Sequence, residues 1–149
     1  MGMKRTINNL LLPFILLVAM PFAVMAQDGT AQNHDADKQA ALEAVESWLK
    51  LVDAGKYGPS WDAAAKLFQD NVAKSDWKKS VEAARTPLGK TVSRKLIAQR
   101  YLTEIPGAPD GEYVIIQFTT EFENKKEAME SLTPLKENGE WKVSGYYVQ

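Results

Sequence analysis

The sequence predicts an α+β domain: three helices followed by a four-stranded antiparallel meander. Two observations predict it. Apolar residues recur at three- and four-residue steps from Ala41 to Ala84, and from Lys90 onward the period changes to two. A third observation is the shortness of the connections between the alternating runs, which suits hairpins and not parallel crossovers. The 149 residues are 45% hydrophobic and 25% charged, the composition of an ordinary globular domain.

The chain opens with a segment outside that fold. Lys4 and Arg5 precede an almost wholly apolar run, Leu10 to Met25, and Val24-Met25-Ala26 supplies a cleavage pattern. Residues 1–26 are therefore expected to be a secretory signal peptide, cut between Ala26 and Gln27. Pro13 and Pro21 interrupt a run already short for a membrane span, so no stable membrane insertion is expected after cleavage. The expected address is the periplasm or the exterior. Residues 27–36 are polar, small and aperiodic, and read as a flexible tether before a single domain, 37–149.

Each element follows from its residues. Asp37 to Ala54 reads as the first helix, with Ala41, Val45, Trp48, Leu49 and Val52 in one stripe and Gly55 as the stop. Pro59 opens a second helix, buried through Trp61, Ala64, Ala65, Phe68 and Val72. Ser75 caps a third, with Trp77, Val81 and Ala84 inward, ended by Thr86-Pro87-Leu88-Gly89. Thr91 to Thr103 is the first strand, with mixed faces. Pro106 to Gly111 turns the chain. Glu112 to Glu123 is the clearest strand, with Val114, Ile116, Phe118, Thr120 and Phe122 on one face. In Glu127 to Lys136, Pro134 requires an edge or a bulge. Asn138-Gly139 marks a hairpin into Trp141 to Val148, where Trp141, Val143 and Tyr147 are expected on one side. A long helix laid into a curved sheet is the cone of the cystatin-like and nuclear transport factor 2-like architectures. Element order alone assigns no function.

An ordered set of short motifs carries a resemblance. Ser60-Trp61, Arg85-Thr86-Pro87-Leu88-Gly89, Pro106-Gly107, Asp110-Gly111-Glu112-Tyr113-Val114, Gln117-Phe118, and Trp141 with Gly145-Tyr146 occur in that order. Together they resemble the bacterial family catalogued as domain of unknown function 4019, over nearly all of Ala40 to Val148. The resemblance implies an exported single domain and supplies no activity.

Several chemistries have no residues to carry them. There is no cysteine, and the one histidine, His34, falls in the expected tether without partner ligands, so no metal is expected. No H-E-x-x-H, phosphate loop or nucleophile elbow occurs, no cofactor motif is present, and no catalytic residue is assigned. The net charge of −1 argues against nucleic acid as a partner. Glu43 and Glu46 lie off the apolar stripe and read as a solvated face. Asp110-Gly111 lacks the alternating ligands of a calcium loop.

The candidate ligand-binding residues are Trp61, Arg85, Arg94 and Arg100. Arg94 and Arg100 are an even number apart on the first strand and are expected on one face with Leu96 and Leu102, where arginines can clamp a carboxylate or phosphate. Arg85 ends the third helix and suits its dipole, or else a pocket rim. Trp48, Trp61, Trp77 and Trp141 can serve the core or line a pocket. The leading expectation is a non-catalytic module that binds a small molecule or an envelope protein. The alternative is a cofactor-free enzyme that sets Glu112 or Asp62 against Arg94 or Arg100. A third expectation is a subunit docking through its sheet, the first strand being a possible docking edge.

Overall fold

The computed structural model describes residues 31–149. The expected signal peptide, its Ala26/Gln27 cleavage site and residues 27–30 lie outside the described residues. Four α-helices precede the sheet: α1 (Ala31–Asp53), α2 (Tyr57–Asp62), α3 (Lys66–Asn71) and α4 (Lys74–Arg85). A 3-10 turn, Thr86–Leu88, leads into β1 (Thr91–Leu102), β2 (Tyr113–Phe122), β3 (Lys125–Glu137) and β4 (Glu140–Val148). The strands pair antiparallel in the order β1-β2-β3-β4, so the fold is α+β with a meander sheet. Helix α1 lies across one face of the sheet and touches all four strands. Among the described residues, no helix is long and apolar enough to cross a membrane.

The core is the meeting of two periodicities. Ala41, Val45, Trp48, Leu49 and Val52 of α1 are buried against Val114, Ile116 and Phe118 of β2, Leu132 of β3 and Val143 of β4. Each buried aliphatic side chain contributes roughly 1.5–3 kcal/mol. Two indoles are satisfied at one serine. The Trp48 Nε1–H donates to the Ser60 carbonyl (2.8 Å), and the Trp77 Nε1–H donates to the Ser60 hydroxyl (3.0 Å). That hydroxyl in turn donates to the Tyr57 carbonyl at 2.7 Å. Ser60 is fully buried because it joins α1, α2 and α4.

Several expectations need correction. The second helix is two short helices, because the chain bends at Ala63-Ala64-Ala65, where the Ala65 N–H donates to the Val143 carbonyl (2.8 Å). A tertiary hydrogen bond to β4 there outweighs helix propensity. Helix α4 has Ala73 at its N-cap with no side-chain cap, so Ser75 does not cap it. The first helix begins at Ala31, inside the expected tether. No glycine or proline interrupts residues 31–53, Asp35 and Lys38 pair across a turn (2.7 Å), and the His34 ring stacks on Tyr101 at 4.1 Å. A polar composition hid a segment that docks on the sheet.

Register shifts overturn two assignments of facing. One lies between Leu96 and Ala98 on β1, opposite Phe118 and Gln117. Arg94 pairs with Thr120 and faces inward, whereas Arg100 pairs with Ile115 and is exposed. The two arginines therefore do not share a face, because an extra residue in a strand reverses its alternation. The second shift lies where β4 passes Leu132 and Pro134. Trp141 and Val143 stay inward, but Tyr146 replaces Tyr147 in the core, and Tyr147 is 62% exposed. Pro134 sits in a central strand beside this shift, where the Ser144 hydroxyl donates to the Thr133 carbonyl (2.6 Å).

Candidate functional site

The C-terminal ends of α1 and α4 meet the start of β1. Asp53 is the last residue of α1, and Gly55, at φ 71°, turns the chain away. A carboxylate at a helix C-terminus opposes the dipole, so Asp53 needs a local cation. Arg85, in the last turn of α4, and Arg94, on the inner face of β1, supply it.

The resulting network is closed on itself. The Asp53 carboxylate accepts from Arg85 Nη2 (2.8 Å), Arg94 Nη1 (3.0 Å), Arg94 Nη2 (3.1 Å) and the Thr91 hydroxyl (3.0 Å). Glu130, fully buried on β3, accepts from Arg94 Nε (2.7 Å), the Thr120 hydroxyl (2.6 Å) and the Tyr146 hydroxyl (2.7 Å). Arg85 Nη1 lies 3.9 Å from Glu130 and donates to the Tyr146 oxygen at 3.3 Å. Two guanidinium and two carboxylate groups thus balance in a space roofed by Phe118 and Phe122. Arg85 lies 4.9 Å from the Phe122 centroid and Arg94 6.0 Å from that of Phe118, both within cation–π range. The Arg85 Nε is buried without a partner, which leaves the Phe122 face as part of its solvation.

The ionisations follow from this geometry. Partial burial pushes the Asp53 carboxyl up, but hydrogen bonds from Arg94 and Arg85 outweigh it and hold the group below the usual carboxylate range. Burial would pull the Arg94 guanidinium down, and Asp53 and Glu130 overcome it, keeping the cation charged. Arg85 behaves alike, held up by Tyr146 and Asp53. Burial, then the Glu130 charge, pushes the Tyr146 phenol well above its ordinary value. The shifts favour the ionised forms of Asp53, Arg85 and Arg94 and the neutral form of Tyr146.

The structure brings together Arg85 and Arg94 of the four residues singled out from sequence. Trp61 lies elsewhere: its Nε1–H donates to the Val72 carbonyl (2.7 Å), and Lys74 sits over its ring at 5.8 Å. Arg100 is exposed on the outer face. The acids proposed for enzyme chemistry are not opposite the arginines. Asp62 pairs with Lys74 (2.7 Å), and Glu112 accepts from the Tyr101 hydroxyl (3.0 Å) near Lys136 (3.6 Å). Glu43 and Glu46 are exposed. Sequence reasoning missed Asp53, Glu130, Tyr146, Thr91 and Thr120. One signal was available: Glu130 alternates in phase with Ala128 and Leu132, so an inward β3 had to bury a carboxylate and needed a cation.

Beside the network, a shallow groove of about 280 Å³ runs between α1 and β1, lined by Glu46, Lys50, Asp53, Arg94, Leu96 and Phe118. Asp53 and Arg94 are the members of the network that reach it, with side chains 27% and 16% exposed. Among the described residues, no cluster of acids and histidines could hold a metal ion.

A family model described as "Protein of unknown function (DUF4019)" matches residues 44–146, a span that contains every residue of the network. The chain belongs to that family. No curated protein matches it.

Proposed function

We propose that this family member is a non-catalytic interaction module that works outside the cytoplasm and whose partner is an envelope protein. The observation that carries the reading is the saturation of the interior carboxylates. Asp53 accepts four hydrogen bonds and Glu130 three, all from the protein itself. A general base needs a carboxylate free to take a proton from substrate. Here the acid–base groups are spent on joining α1, α4 and the sheet. Affinity for a partner then rests on surface that the fold leaves open, and the sheet leaves open both its outer face and its β1 edge. Export is supported by the charge and apolar pattern of residues 1–26.

Native mass spectrometry of the protein recovered from its own compartment tests this reading. The expected result is a complex with another polypeptide, on a chain whose first residue is Gln27. A stoichiometric small-mass adduct that disappears in Arg94→Ala would overturn it in favour of a ligand cavity. A turnover abolished by Asp53→Asn would overturn it in favour of an enzyme. An intact Met1 on the mature protein would refute the export component.

A further inference from the structure

Strand β1 is an edge twelve residues long, and among the described residues it pairs only with β2. In an antiparallel pair, alternate residues of an edge strand aim their N–H and C=O groups away from the neighbour. Such an edge is a template for another strand. Its side chains are unusually apolar for an uncovered edge: Val92 is 58% exposed, Ile97 46% and Leu96 37%.

Charge decides what fits there. Strand β1 carries Arg94, Lys95 and Arg100 and no acid. Arg94 is neutralised inside, but among the described residues Lys95 and Arg100 form no ion pair. A second copy added antiparallel about the point between Ile97 and Ala98 would set Lys95 opposite Arg100, which is unfavourable across a strand pair. The same repulsion reverses sign against an acidic strand. The two faces of an added strand would also meet different surroundings. Residues level with Arg94 and Leu96 would face the groove under α1, where Leu96 and Phe118 supply apolar surface among Glu46, Lys50, Asp53 and Arg94. Residues level with Lys95 and Arg100 would face outward with Thr119 and Ile115.

We infer that β1 takes up an extended peptide segment of a partner protein as a fifth strand. The segment alternates apolar residues, which enter the α1–β1 groove, with acidic residues, which meet Lys95 and Arg100. Main-chain hydrogen bonds supply affinity and the alternation supplies specificity. The inference rests on the interaction reading above and narrows it to one edge and one partner chemistry.

The probe is a capped octapeptide of alternating glutamate and valine, titrated into the ¹⁵N-labelled protein at low salt. Saturable shifts are expected in residues 91–102 and around Lys50 and Phe118. Open-edge amides of β1 should exchange about tenfold more slowly at saturation. Affinity should fall at least ~tenfold for the lysine–valine peptide, and likewise for the Lys95→Glu/Arg100→Glu variant, whose exposed positions leave the fold intact. Equal binding by a peptide N-methylated at alternate residues would overturn the inference, since simple charge adhesion needs no backbone pairing. Shifts on another face, a β1-mediated dimer of the protein alone, or no binding at about 1 mM peptide would also overturn it. A native partner complex that survives Lys95→Glu/Arg100→Glu would sink strand addition and leave the interaction reading standing. Recovery of a small-molecule adduct in place of a partner would remove that reading itself.

Discussion

Glu130→Gln tests whether the charge network is what joins the helices to the sheet. Glu130 is fully buried and holds Arg94 Nε at 2.7 Å, with Thr120 and Tyr146 at 2.6 and 2.7 Å. Removing one partner of a buried ion pair costs roughly 3–5 kcal/mol when the other charge is left unpaired, and here Arg94 keeps its bonds to Asp53. Glutamine keeps the shape and one acceptor, so the lower end, about 3 kcal/mol, is expected. Against a total of roughly 5–15 kcal/mol this is a large loss. In urea, with a slope of about 1.5–2 kcal/mol/M, the midpoint should drop by roughly 1.5–2 M. Arg94→Met in the same background should restore part of the loss, with a coupling energy of about 1–3 kcal/mol between the two positions. A Glu130→Gln loss below about 1 kcal/mol, or strict additivity with Arg94→Met, would refute the reasoning. Either outcome would mean that packing around Phe118 and Phe122, and not the ion pair, sets the stability here.

Three further outcomes follow from other parts of the structure. Gly89 sits at φ 75° and ψ −161°, and a β-carbon there would lie 2.8 Å from Glu123 Oε2, so Gly89→Ala should cost on the order of 1–3 kcal/mol by thermal melting. Asp53 has a folded-state pKa below its ordinary 3.8; its stabilisation is therefore complete above that value and is lost as pH falls through the lower folded one. Urea titrations between pH 2 and 6 should show that dependence flattened in Asp53→Asn, and an unchanged acid profile would count against the network. Ser60→Ala strands the buried Trp77 indole N–H, which donates to its hydroxyl at 3.0 Å, and should cost roughly 1–3 kcal/mol, read by urea unfolding followed through tryptophan fluorescence.

The sequence by itself determined the fold class, the α1 stripe from Ala41 to Val52, the inward face of β2 and the Asn138-Gly139 hairpin, where φ of 50° and 80° gives the twist a tight turn needs. These are local statements: period, turn chemistry and burial need only near neighbours in the chain. Trp61, Arg85, Arg94 and Arg100 were legible as residue types able to hold a ligand, but not as a set. Only the tertiary structure decided that Arg94 turns inward and Arg100 outward, because the register shift after Leu96 is set by pairing with β2 and leaves no local mark in the alternation. The same is true of Tyr146 against Tyr147. Asp53, Arg85, Arg94 and Glu130 meet from two helix ends and two strands, 77 positions apart in the numbering at the extremes. Their attraction has meaning only where burial lowers the dielectric, and burial at that point is made by the packing of α1 and α4 on the sheet.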